Sequence, residues 1–355
     1  MRMLFLLVVA SCTACHEPVV LAWRLDLGAG SQSTPLVTQD YIAVGTARGL
    51  SVAELNGRPR CEYPINSEVV SAPATDGRMI FFGSVNYVFY AITPQCKPGW
   101  KFTTGDRIKS DPLVYGDLVY IGSYDKHLYA LNRHDGKMVW AFPELPSGEN
   151  TKAPGDIETG DFSYSSPVLM DGVLYIGNLD HRIYAIDAVS GKMLWRYRTQ
   201  AAVTSSPRIH EKTLYFGSND GFVYAVDLRD QKTVWKLETH DWVNSSANIQ
   251  DDTLYIGSND KHVYAIATKD GAPRWKFATK GPVISIPAIV DTFVIAADAD
   301  AEGNIYLFDE NNQSIAWTRK TAGPIRSDPV VVDHRFYISG GDRFLYAFDI
   351  KTTRR

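Results

Sequence analysis

Eight times along this chain a serine stands two residues before a proline or its replacement, at Ser33, Ser71, Ser110, Ser165, Ser205, Ser245, Ser285 and Ser327. The steps between them are 38, 39, 55, 40, 40, 40 and 42 residues. A period of this length means that one supersecondary unit is made repeatedly and that no unit buries its apolar faces alone. Within the units a run such as "LYIG" ends at Gly122, Gly177, Gly217 or Gly257, a polar turn follows, and a second run carries a Tyr-Ala pair, as at Tyr184-Ala185. Eleven residues after the tyrosine comes a tryptophan: Trp140, Trp195, Trp235, Trp275 and, after Tyr306, Trp317; Trp100 follows Tyr90 by ten.

The runs are short, rich in Val, Ile, Tyr and Phe, and bounded by turn pairs such as Asp171-Gly172 and Ser190-Gly191, which is the grammar of strands and hairpins. Four strands in about 40 residues is the size of one propeller blade. The expected fold is all-β: an eight-bladed β-propeller of four-stranded antiparallel blades over residues 18–355. The last unit lacks a strand, because eleven residues past Tyr346 would be position 357 in a sequence of 355. The segment "VVLAWRLDLG" carries Trp23 with no strands before it. It is expected to complete the last blade, closing the ring and covering an edge that would otherwise invite aggregation.

The unit resembles the quinoprotein-like (PQQ-like) repeat, whose signature Ala-x-Asp-x-x-Thr-Gly-Lys-x-x-Trp is met by Ala185, Asp187, Ser190, Gly191, Lys192 and Trp195, with serine for threonine. "ALNRHDGKMVW", Ala130 to Trp140, meets it more loosely. The resemblance implies that Trp23, Trp100, Trp140, Trp195, Trp235, Trp275 and Trp317 each dock on a neighbouring blade, between an alanine and a glycine peptide. A docked indole removes about 200 Å² from water, on the order of 5 kcal/mol before entropy is subtracted. The first blade carries Cys61 where the tryptophan belongs, so its interface is expected to be the weaker one.

With 45% hydrophobic residues and a net charge of −4, the chain can bury a large core and is not a basic nucleic-acid binder. Its opening, "MRMLFLLVVASC", sets Arg2 before an apolar run too short to span a bilayer. Residues 1–11 therefore read as a signal peptide. "VASC" resembles a bacterial lipobox, which nominates Cys12 for lipidation and residues 12–17 as a tether; Thr13, where an aspartate would suggest inner-membrane retention, favours the outer membrane. The alternative is ordinary cleavage nearby with Cys12 incidental. An oxidising compartment permits one internal bridge, Cys61 to Cys96, although spacing does not establish it.

Candidate chemistry is sparse. The resemblance brings in dehydrogenases that hold pyrroloquinoline quinone and calcium, but a vicinal cysteine pair of the kind those enzymes place under the cofactor is absent from this sequence. In "DADAEGNIYLFD" the carboxylates Asp298, Asp300, Glu302 and Asp309 have the spacing of a calcium loop, with Gly303 at the sharp turn. The competing reading is a set of acidic turn residues, since Asp309 aligns with Asp187, Asp227 and Asp349. Asp125, Asp180, Asp220, Asp260 and Asp342 recur in one turn and either form an acidic ring or make tight turns, the second being the simpler. The repeat serines, and His127, His181 and His262, read as structural positions.

The 55-residue step inserts Pro143 to Phe162 between the third and fourth units, with Glu144, Glu149, Asp156, Glu158 and Asp161 against one lysine. Loops of this length are usually functional or disordered, so these acids are the candidate partner contacts. Lipobox, repeats and blade number together resemble the BamB family of outer-membrane assembly lipoproteins. That resemblance implies a non-enzymatic, periplasm-facing scaffold that meets envelope proteins, including the β-barrel assembly machinery, with a lipid anchor and no bound cofactor. The alternatives are a quinone-dependent or other periplasmic oxidoreductase and a calcium- or small-ligand-binding sensor.

Overall fold

The computed structural model describes residues 17–144 and 160–351. They form eight four-stranded antiparallel sheets, seven of them built from consecutive strands. The fourth is typical: Val168–Met170 innermost, then Val173–Asn178, Arg182–Asp187 and, at the rim, Met193–Arg198. The eighth takes its first three strands from Val330–Val332, Arg335–Ser339 and Phe344–Ile350, and its outermost from Val19–Asp26. Trp23 faces Ala347 and Arg24 faces Tyr346 in that antiparallel pair, so the expected closure holds.

The core divides into eight apolar clusters, each lying between two neighbouring blades. Tyr120, Leu174 and Ile176 join blades three and four, and Leu25, Ile42 and Tyr337 join blades eight and one. Both faces of the middle strands are covered by neighbours, which is why "LYIG" and "YAI" are continuous apolar runs rather than alternating ones. The glycine ending such a run answers to the next blade. A Cβ on Gly177 would lie 2.5 Å from the Val203 carbonyl oxygen as the following innermost strand enters.

All eight repeat serines are buried and fasten the innermost strand to the second. At Ser205 the hydroxyl donates to the Gly217 carbonyl at 2.8 Å and accepts from the Gly217 N–H at 2.8 Å. Ser110 makes the same pair with Gly122. These serines serve the backbone, as expected.

The tryptophan docks are visible atom by atom. Trp140 lies against Gly191, whose φ is +71°, and its indole N–H donates to the Ala188 carbonyl at 3.1 Å. Trp23 on Gly57, Trp100 on Gly136 and Trp235 on Gly271 repeat the contact, each indole N–H meeting a backbone carbonyl of the neighbouring turn. Opposite Trp195 and Trp275 the glycine position of the next blade holds Gln231 and Gln313, both also at positive φ. Trp317 instead packs on Phe348, their ring centres 5.5 Å apart.

The first interface corrects the expectation of weakness. Cys61 stands in the tryptophan position of blade one, and Cys96, at φ +58°, stands in the glycine position of blade two. The two form a disulfide across the interface, Cα atoms 6.1 Å apart. A covalent bolt therefore replaces the indole dock at the one interface that lacks it.

Candidate functional site at the channel mouth

Each repeat serine stands three residues before its innermost strand, on the segment that leads into it, with its own side chain buried. The residues just before the serines converge on one cavity of about 680 Å³. Blades three and eight bring Lys109 and Arg326, blade four brings Tyr164, and blades five and six bring Thr204 and Asn244. Blades one, two and seven add Gln32, Val70 and Ile284. Asn219, Asn259 and Trp242 complete the polar side, and Trp242 is 52% exposed. Thr204 donates toward Asn219 Oδ1 at 3.0 Å and Asn244 Oδ1 at 2.8 Å, and Asn244 Nδ2 lies 3.5 Å from Asn259 Oδ1.

One step deeper, the residues just after the serines form a girdle. The N–H of Asp111 donates to Ser166 Oγ (2.9 Å), that of Ser166 to Ser206 Oγ (2.8 Å), and that of Ser206 to Ser246 Oγ (2.7 Å). On the other side Ile286 donates to Asp328 Oδ1 (2.7 Å), Asp328 to Thr34 Oγ1 (2.8 Å) and Ala72 to Asp111 Oδ1 (2.6 Å). Each bond runs from one blade to the next. The two missing steps are those where the acceptor position is Ala72 or Ile286, which have no side-chain oxygen.

Two acids therefore sit on the channel wall beneath two cations. Burial pushes the Asp111 carboxyl up to about 6, against hydrogen bonds from Ala72 and Ser166 that pull it down. Burial pushes Asp328 up to about 7, and the Asp111 charge adds to the rise. Sequence reading missed this pair, yet the signal was present: "IKSDP" from Ile108 and "IRSDP" from Ile325 are one motif in two blades. Only the ring brings them to a common axis.

A family model described as "Outer membrane protein assembly factor BamB" matches residues 90–154, 150–276 and 219–309. The chain belongs to the BamB family of PQQ-like repeat propellers. Among solved structures, BamB from Moraxella catarrhalis superposes with a TM-score of 0.76 at 16% identity, over 93% of this chain and 99% of that one. Quinohemoprotein alcohol dehydrogenase from Comamonas testosteroni gives 0.77 at 13% identity, over 96% of this chain and 77% of that one. These two likenesses concern the fold. BamB of Nitrosomonas eutropha is 20% identical over 50% of this chain and 42% of its own length. The first curated relatives, a beta-alanine-activating enzyme and three dehydrogenases, one of them a quinoprotein alcohol dehydrogenase, align with 26–34% of this chain and 10–21% of their own length.

The recurrent turn aspartates make no open acidic ring. Asp220 accepts from Tyr224 Oη (2.7 Å), the Phe222 N–H (3.1 Å) and the N–H of Gln200, just past the outermost strand of blade four (3.0 Å), and Asp125, Asp260 and Asp342 hold the equivalent tyrosine and backbone groups. Asp180 binds Tyr184 and Arg182. Burial and these carboxylates push the tyrosine hydroxyls upward. The imidazoles of His127 and His262 each meet a backbone carbonyl two residues back at 2.9 Å.

The four acids of the calcium-like spacing go to separate partners. Asp298 is fully buried and takes Tyr306 Oη (2.7 Å), the Asn304 N–H (2.9 Å), Asn304 Nδ2 (3.1 Å) and the Gly281 N–H (3.1 Å), so it does the tyrosine-holding work of the repeat aspartate. Glu302 pairs with Lys320 at 2.6 Å and Asp309 caps the turn at Asn311 and Asn312. Asp300 accepts the Gly303 N–H through its own carbonyl. Among the described residues no group of three or more His, Cys, Asp or Glu is placed to hold a metal.

Of the insert acids, Glu144 is exposed, whereas the Asp161 carboxylate is bonded to the Ser163 N–H at 3.1 Å. Phe162 is an anchor rather than loop: it is buried against Phe142 and Tyr184. Glu149, Asp156, Glu158 and Cys12 lie outside the described residues, as do residues 1–16 as a whole. Among the described residues no helix is long and apolar enough to cross a membrane.

Proposed function

We propose that the protein is a non-enzymatic scaffold of the bacterial envelope that helps β-barrel proteins assemble into the outer membrane through protein–protein contacts. The observation carrying this reading is the match to the BamB family model over residues 90–154, 150–276 and 219–309. Attachment is through acylated Cys12 on the periplasmic side of the outer membrane. Acyl chains contribute roughly 0.8 kcal/mol per buried methylene, so a multiply acylated Cys12 holds while the propeller stays in water.

A quinone and its calcium ion do not fit the residues of the mouth. Lys109 and Arg326 suit carboxylates, but the axis-facing acids nearest them, Asp111 and Asp328, are engaged by backbone N–H groups of neighbouring blades. The reading is tested by a photo-crosslinking residue at Glu144, in cells and with the purified assembly machinery. Adducts with its barrel-forming subunit, together with lowered outer-membrane barrel content on deletion, are expected. Dye-linked dehydrogenase activity on adding quinone and calcium, without such adducts, would overturn it.

A further inference from the structure

Of eight tryptophans in the chain, seven belong to the blade interfaces and the eighth, Trp242, stands half exposed in the wall of the channel mouth. An indole half open to the cavity is not accounted for by packing between blades. Beside it are Asn219, Asn244, Asn259 and Thr204, a network with hydrogen-bonding capacity to spare. The Thr204 hydroxyl has one proton for two amide oxygens, and among the described residues the Nδ2 groups of Asn219 and Asn259 donate to nothing.

The opposite side of the mouth is cationic. Lys109 lies over the rings of Tyr124 and Tyr164 at 5.3 and 5.5 Å, and neither it nor Arg326 has an ion-pair partner among the described residues. The acids nearby have other duties: Glu68 accepts from Gln32 (2.9 Å), Asp106 pairs with Arg107 (3.4 Å) and Asp161 holds Ser163. The cavity, about 680 Å³, is in the range of small-molecule sites.

We propose that this mouth binds an acid-bearing saccharide. The apolar face of a sugar ring packs on the Trp242 indole, its hydroxyls meet the Asn219, Asn244 and Asn259 amides, and its carboxylate or phosphate faces Lys109 or Arg326. Amides both donate and accept, as a ring of hydroxyls requires, and an indole offers a flat apolar face with a wet rim. The two cations select for charge and steer the ligand in. This proposal is independent of the assembly role and can fail without it.

The test is calorimetry and tryptophan fluorescence on the purified full chain with trigalacturonate and glucose 6-phosphate, against maltotriose, glucose, inorganic phosphate, triglutamate and pyrroloquinoline quinone. One acidic sugar is expected to bind at one site per chain, at least tenfold tighter than its neutral counterpart, and which one binds identifies the acid. Trp242→Ala and, separately, Lys109→Met with Arg326→Met are expected to weaken it at least tenfold with the melting temperature unchanged. Trp242→Phe, which keeps an apolar face, is expected to retain most of the affinity. No sugar binding up to millimolar concentration overturns the proposal. So does phosphate, triglutamate or the quinone binding as tightly as the acidic sugar, or Trp242→Ala binding as the parent does.

Discussion

Asp111 and Asp328 keep their protons in a range where a free aspartate has lost its own, because burial in the channel wall disfavours the charged form. Both values, about 6 and about 7, lie above the ordinary 3.8. Between roughly pH 4 and pH 7 the folded chain thus binds more protons than the unfolded one, and this pair's contribution to stability falls as pH rises. The groups facing the pair are Lys109 and Arg326 toward the mouth, Thr34 and Ser166, and the N–H groups of Ala72 and Ile286. Asp328→Asn keeps an acceptor for Ile286 and removes the charge. It is expected to raise stability at pH 8 by on the order of 1–3 kcal/mol, discounted for channel water, and by progressively less toward pH 4. Denaturant unfolding of both forms at pH 8 and pH 4.5 measures it; a gain that grows toward low pH would show the sign to be wrong.

Each blade interface is one element-scale device, and the chain uses four versions of it: an indole on a glycine, an indole opposite a glutamine, Trp317 on Phe348, and a disulfide. At Gly191 the φ of +71° and a Cβ position 2.6 Å from the Trp140 ring leave no room for a side chain. Gly191→Ala is expected to cost about 1–3 kcal/mol by pushing the indole off its seat. Gln231 already bears a side chain at φ +57°, so Gln231→Gly is expected to be neutral or to stabilise by up to about 1 kcal/mol. Thermal melts of the pair separate conformational strain from lost packing. At the bolted interface, Cys61→Ala with Cys96→Ala is expected to cost about 2–4 kcal/mol, with the parent losing a similar amount in reductant and the variant nothing more.

The period, the closure and the glycine seats of Trp23, Trp100, Trp140 and Trp235 were legible in sequence, because each is a repeat position whose neighbours repeat with it; the glutamines opposite Trp195 and Trp275 and the Phe348 contact of Trp317 were not. The two cysteines were legible as a permitted bridge, but not as a substitute dock, since that needs blade one laid beside blade two. The acids of the calcium-like spacing part company for a local reason. Two extra residues in the turn of blade seven let Asp298, rather than the aligned Asp300, reach Tyr306, and no periodic argument tells which carboxylate a lengthened turn will deliver. The mouth was invisible one blade at a time: a lysine before one serine and an arginine before another are ordinary surface residues until eight strands converge.

At the scale of the whole molecule, the ring is held shut by the longest contacts in sequence. Val19 pairs with Ile350, the Ser31 and Ser339 hydroxyls are 2.9 Å apart, and Asp328 binds Thr34. Closing a loop of this span costs entropy that grows only as the logarithm of its length, so the closed state is affordable thermodynamically but slow to reach. The Lys351 N–H donates to the Pro18 carbonyl at 2.8 Å, so residues 17 and 351 are neighbours in space. A circular permutant that joins them through a short glycine-serine linker and opens the chain within 145–159 turns the closing pair into a local hairpin. It breaks no described strand. It is expected to fold faster in stopped-flow refolding and to melt within a few degrees of the parent, because the eight interfaces are unchanged. If permutation abolished cooperative melting, the covalent link between blades three and four would be required for the ring to hold together. If the refolding rate were unaltered, closure by Val19–Asp26 would not be the slow step, and the ring would be limited by pairing within its blades.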